Sequence, residues 1–97
     1  MRNKLMPLYY AIVKQFMDGN EYDASEIVAL LEPDYGGYRL LTHRGVEEAL
    51  ATAKENGLLD ESRYDVDDAG ELRVFYRVND FGREMIDRYI GAYHNPA

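Results

Sequence analysis

The side chains best equipped for chemistry cluster in one short run, Asp65-x-Asp67-Asp68-x-Gly70, whose carboxylates have the opening spacing of a calcium-binding loop. The pattern then fails. Ala69 stands where a third ligand is needed and Tyr76 where a carboxylate should close the loop, so the run reads as an acidic turn. His43 and His94 are distant in sequence and form no HxxxH pair, and the chain has no Cys, so no metal is expected. There is no glycine-rich phosphate loop, no nucleophile elbow and no Ser accompanied by a recognisable His/Asp set. The expectation is a protein that is not an enzyme, carries no cofactor and acts by binding.

Charge is then the most informative property, and its sign opposes the basic footprint usual in nucleic-acid binders. The 97 residues hold 18 acidic against 11 basic side chains, a net charge of -7. Two segments carry the excess. Residues 21–37 hold five carboxylates and no cation, and residues 60–71 hold six carboxylates against Arg63 alone. Residues 38–59 are balanced, with Arg39, Arg44 and Lys54 against Glu47, Glu48 and Glu55. The length allows one domain, 1–97, with a frayed tail expected over 93–97. Absence of Cys means that the fold rests on its apolar core, as suits a reducing cytoplasm. No apolar run approaches the ~18 residues of a membrane span, so a soluble, unprocessed, cytoplasmic chain is expected.

The elements that position these charges can be read from periodicity and caps. A first helix is expected over about 7–17, with Pro7 in its first turn and two apolar stripes, Leu5/Tyr9/Ile12/Phe16 and Met6/Tyr10/Val13/Met17. Asp23-Ala24-Ser25-Glu26 has the form of a capping box and opens a second helix, with Ala24, Ile27, Val28 and Leu31 on one face and Glu32-Pro33 as its end. Residues 34–38 then read as a turn. Thr42 is a good N-cap for a third helix, whose Val46, Ala49, Leu50 and Ala53 share a narrow arc and which stops at Asn56-Gly57. Residues 64–66 and 72–78 read as two strands around an acidic turn. Leu72, Val74, Tyr76 and Val78 face one side of the second strand, and Arg73, Phe75 and Arg77 the other. Asn79 caps a last helix bearing Phe81, Met85, Ile86, Tyr89, Ile90 and Tyr93. The fold class is α+β, mainly α: three helices, a hairpin and a C-terminal helix.

That order, with Gly57-Leu58-Leu59 leading from the third helix into the hairpin, is the layout of a winged helix-turn-helix. The chain resembles the small bacterial winged-helix regulators of the PadR and MarR type. Residues 42–59 resemble their recognition helix with its Gly-Leu exit, 64–78 their wing, and Tyr76-Arg77-Val78-Asn79-Asp80-Phe81-Gly82 their aromatic-x-Leu-Thr-x-x-Gly junction, with Val78 and Asn79 where Leu and Thr are usual. Independently of any family, Gly57 suits a left-handed helix cap and Gly82 a close approach between elements.

The resemblance implies a transcriptional regulator that reads duplex DNA with the helix at 42–56. Arg44 would then meet a guanine edge, Thr42 or His43 a phosphate near the helix N-terminus, and Arg39, Lys54, Arg73 and Arg77 the backbone. Arg73→Ala would weaken all sequences alike and flatten the salt dependence. It also implies a homodimer, with Tyr9, Ile12, Phe16, Ile86, Tyr89 and Tyr93 as the shared face. A competing expectation rests on charge. Glu47, Glu48 and Glu55 share the outward face of the third helix with Arg44, and Asp67, Asp68 and Glu71 occupy the wing tip. These acids, with Tyr35 and Tyr38 flanking Gly36-Gly37, fit a winged-helix module that binds a protein, or mimics nucleic acid, without binding DNA.

Overall fold

The computed structural model describes residues 5–91; Tyr93, His94 and the rest of the expected tail lie outside them. The elements follow in the expected order: α1 Leu8–Lys14, α2 Ala24–Tyr35, α3 His43–Glu55, β1 Leu59–Val66, β2 Leu72–Val78 and α4 Asp80–Tyr89. α1 is shorter than its apolar pattern. Its first turn closes on the Pro7 carbonyl, and after Lys14 the chain tightens into a 3-10 turn, Gln15–Asp18, ending at Gly19 with φ 87°.

The capping box that opens α2 is complete. Asp23 Oδ1 accepts from Glu26 N at 2.9 Å, and Asp23 N donates to Glu26 Oε1 at 3.0 Å. The expected end at Glu32-Pro33 is overturned, because α2 continues through Pro33 to Tyr35. Pro33 sits on the exposed side of the last turn, where loss of its N-H leaves only one helical bond unmade. The extra turn also brings Tyr35 fully into the core, where its hydroxyl donates to Met6 O at 2.6 Å. Large apolar burial with a satisfied hydroxyl outweighs the local proline penalty. Tyr35 is therefore a core residue, and exposed Tyr38 packs edge-on against it at 5.0 Å.

α3 begins as expected, with Thr42 Oγ1 accepting from Gly45 N at 3.0 Å. It buries Val46, Leu50 and Ala53. Its exit is a Schellman turn: Leu58 N donates to Ala53 O and Gly57 N to Lys54 O, both at 2.9 Å, with Gly57 at φ 84°. β1 then starts at Leu59, five residues earlier than expected. Its polar Asp60–Arg63 stretch lacks alternation, yet it pairs antiparallel with β2 around a bulge between Glu61 and Arg63. The acidic turn is held by Asp67, whose Oδ1 accepts from Ala69 N and Glu71 N, both at 2.9 Å.

Asn79 caps α4 through Gly82 N at 2.7 Å and donates to Gly57 O at 2.9 Å, tying α4 to the exit of α3. The core gathers Ile12, Val13 and Phe16 of the first segment with Ile27 and Leu31 of α2, Val46 and Leu50 of α3, Leu59 of β1, Ile86 of α4 and Ile90 just after it. No helix among the described residues is long and apolar enough to cross a membrane.

Candidate nucleic-acid interface

Because α3 buries one narrow arc, its opposite face is exposed. That face carries His43, Arg44, Glu47, Glu48, Ala51, Thr52 and Glu55. Arg44, in the first turn, has a side chain 89% exposed, held among the described residues only by Glu48 one turn on at 3.4 Å. An exposed pair of this kind is worth well under about 1 kcal/mol, so the guanidinium is available to another partner. His43 stands similarly beside Glu47, at 3.6 Å. Thr42 has given an acceptor lone pair to the helix cap. Arg39 lies exposed in the α2–α3 turn.

The other expected phosphate contacts are engaged within the fold. Lys54 Nζ lies 3.2 Å from Glu61, whose carboxyl is held below its ordinary value by the Tyr64 hydroxyl first and Lys54 second. Arg77 Nε donates to Gly19 O at 3.4 Å. Arg73 Nε donates to Asp23 Oδ2 at 2.6 Å, and Asp23 is only 3% exposed. The same carboxylate thus caps α2 and holds the wing. Next to it, Arg63 Nε donates to Glu21 Oε2 at 2.7 Å, and with Ser62 it lowers the Glu21 carboxyl below the usual range.

Between these two arginines lies Phe75, which faces away from the main core as expected and is nevertheless buried. The Arg63 and Arg73 guanidinium carbons sit 3.8 and 4.8 Å from its ring centroid. Tyr22 completes the arrangement by exchanging both backbone hydrogen bonds with Tyr76, at 2.9 and 3.1 Å. Residues 19–23 therefore run beside β2 as a rail, touching the wing at Gly19, Glu21, Tyr22 and Asp23. This rail is invisible in the sequence, since each contact spans 40 or more residues and no local pattern marks it. Asp23→Ala is expected to lower stability by about 1 kcal/mol through the cap alone, and further because Arg73 loses its partner. Asp23→Asn, which keeps the cap acceptor, should recover the first loss and not the second in urea denaturation.

The expected dimer face needs correction. Ile12, Phe16 and Ile86 are each no more than 1% exposed and belong to the chain's own core, so they offer no surface to a second copy. The apolar stripes are wide because α1 is covered on several sides within one chain. Tyr9 and Tyr89 remain at the surface. They line an apolar groove of about 290 Å³ between α1 and α4, together with Leu58, Phe81 and Met85. Tyr89 is 64% exposed.

No family model matches the chain, and no curated protein matches it by sequence. Solved structures match it by fold. PadR of Bacillus subtilis, in a crystal structure with operator DNA, aligns with a TM-score of 0.70 and 18% identity over 93% of this chain and 49% of that one. A protein of Thermoplasma acidophilum described as a transcriptional regulator aligns with a TM-score of 0.66 and 18% identity, over 88% of this chain and 79% of that one. A PadR-like transcriptional regulator of Bacillus cereus gives 0.64 and 16% identity over the same shares. The chain has the winged-helix fold of these proteins, and it spans about half the length of the PadR chain.

Proposed function

We propose that this chain is a DNA-binding transcriptional regulator that lays α3 in the major groove of duplex DNA. The observation that carries the reading is the position of Arg44: almost wholly exposed in the first turn of α3, on a fold shared with a PadR found on operator DNA. Arg44 supplies the base contact. Thr42 and His43 approach a phosphate where the α3 amides are unpaired, and Arg39 lies within the same turn. Lys54 and Arg77 reach the backbone only by exchanging a weak internal partner. Arg73 is spent on Asp23 and orients the wing.

The regulator acts in the cytoplasm as a homodimer. The second copy covers the α1–α4 groove around Tyr9, Phe81, Met85 and Tyr89, which places two α3 helices for two half-sites. Tyr89→Asp is expected to convert the dimer to monomers at tens of micromolar in analytical ultracentrifugation; a wild-type monomer at that concentration would remove this part of the reading.

Titration of a labelled random duplex across salt concentrations tests the whole. On a random duplex, where Arg44 has no cognate base and turns from Glu48 to a phosphate, Arg39 and Arg44 amount to about two phosphate contacts per chain, so the log-log salt slope should be about -2 for one chain and about -4 for a dimer. Arg73→Ala should leave that slope unchanged. No duplex binding at low salt would sink the proposal.

A further inference from the structure

Between the starts of α2 and α3 and the inner face of the wing lies a cleft of about 240 Å³. Its floor is the apolar strip Leu72, Val74 and Tyr76 of β2, and its sides are polar, from Asp23 and Ser25 at the start of α2 and from His43 and Glu47 of α3. Residues paired across an antiparallel ladder share a face, so Val66, opposite Leu72, and Tyr64, opposite Val74, extend this strip toward the wing tip. Tyr64, Val66 and Leu72 are each about 60% exposed, an unusual amount of large apolar side chain for one face of a short hairpin. The rim is acidic. Glu47 stands on the α3 side and Asp67 and Glu71 on the wing side, while the one arginine in the lining, Arg73, is neutralised by Asp23.

We propose that this cleft is the docking site for an apolar, basic segment of another protein. Charge complementarity selects that occupant. A duplex would bring phosphates against the rim carboxylates, and a second copy would bring a chain that itself carries a net charge of -7. A lysine- or arginine-bearing strand meets opposite charge at the rim and covers Tyr64, Val66 and Leu72 with its apolar side chains. Because His43 and Glu47 line the cleft next to Arg44, the docked segment covers the start of α3, so docking and duplex binding exclude one another. This exclusion rests on the DNA reading above; the docking does not.

The test uses the full chain and a fluorescein-labelled twelve-residue peptide of alternating Leu and Lys, read by anisotropy. Glu47→Lys with Glu71→Lys is expected to weaken binding at least tenfold, and Leu72→Ser at least fivefold. Glu32→Lys with Asp34→Lys, the same charge change made on α2 away from the cleft, is expected to stay within twofold of wild type. A peptide with Ser in place of Leu is expected to bind at least tenfold more weakly. Failure of the wild-type chain to bind, or equal losses from the two charge reversals, would overturn the docking. So would loss of duplex affinity in Leu72→Ser with peptide affinity intact, which would put DNA in the cleft. Adding the peptide to a preformed duplex complex should release the duplex. A ternary complex would overturn the exclusion alone, and absence of any duplex binding would remove the DNA reading while leaving the peptide titration to stand.

Discussion

Gly82→Ala is expected to be among the most damaging single substitutions in this chain, costing about 3 kcal/mol or more. A Cβ at Gly82 would lie 2.1 Å from the Leu58 carbonyl oxygen, and 2.9 Å from both the Leu58 carbonyl carbon and Val78 Cγ2. Two of these atoms are backbone, so no rotamer change relieves the clash. The nearby hydrogen bond from Asn79 N to Leu58 O, at 3.3 Å, and the Asn79 cap would both be strained as α4 backs away from the α3 exit. Small domains have only about 5–15 kcal/mol in total, so this is a large share. Gly70→Ala is the fitting control: unlike the helical Gly82, Gly70 has a positive φ, of 84°, and nothing lies within 4 Å of its added Cβ. Its cost should be about 1 kcal/mol, from the left-handed backbone alone. Urea denaturation of the two variants separates close packing from backbone conformation. A loss below about 1 kcal/mol in Gly82→Ala would show that the junction yields.

Arg44→Ala is expected to cost about ten- to a hundredfold in affinity for a specific duplex, the range of one good bidentate base contact. The α3 face carries no second arginine to replace it, and Glu47, Glu48 and Glu55 share that face. The same imbalance predicts the opposite effect from Glu48→Gln. Removing the carboxylate 3.4 Å from Arg44 both frees the guanidinium and withdraws one negative charge from the approach of the phosphates, so affinity for every duplex should rise. Both are read by anisotropy at fixed low salt. Unchanged affinity in Arg44→Ala would show that α3 is not the reading element.

Features governed by neighbouring residues were legible in the sequence. The caps at Asp23, Thr42 and Asn79 and the turn at Gly57 each depend on hydrogen bonds closed within a few residues, and all four form. Features governed by distant residues were not. Pro33 is a breaker by local rules, and only the burial of Tyr35 beneath Met6 O carries α2 past it. The polar start of β1 has no alternation to reveal it, since its partner β2 supplies the reason to extend. The same division runs through the candidate site. The exposure of Arg44 follows from the apolar arc of its own helix, whereas the commitment of Arg73 depends on Asp23, fifty residues earlier. The core places of Ile12, Phe16 and Ile86 are hidden for the same reason: periodicity shows that a helix face is apolar but not which neighbour covers it.

The rail of residues 19–23 along β2 sets how the hairpin moves. A two-stranded ribbon alone is marginal in water and frays from its turn. Here β2 is fastened to the segment that starts α2 at two points, through Tyr22 at Tyr76 toward its base and through Asp23 at Arg73 nearer the turn. The Tyr22 and Tyr76 amides should therefore exchange with solvent only when the whole domain opens, while amides near Ala69 exchange through local fluctuation. Most of the hairpin's ordering entropy is then lost when the chain folds and not when a partner arrives, so association at α3 starts from a wing already held at its final angle.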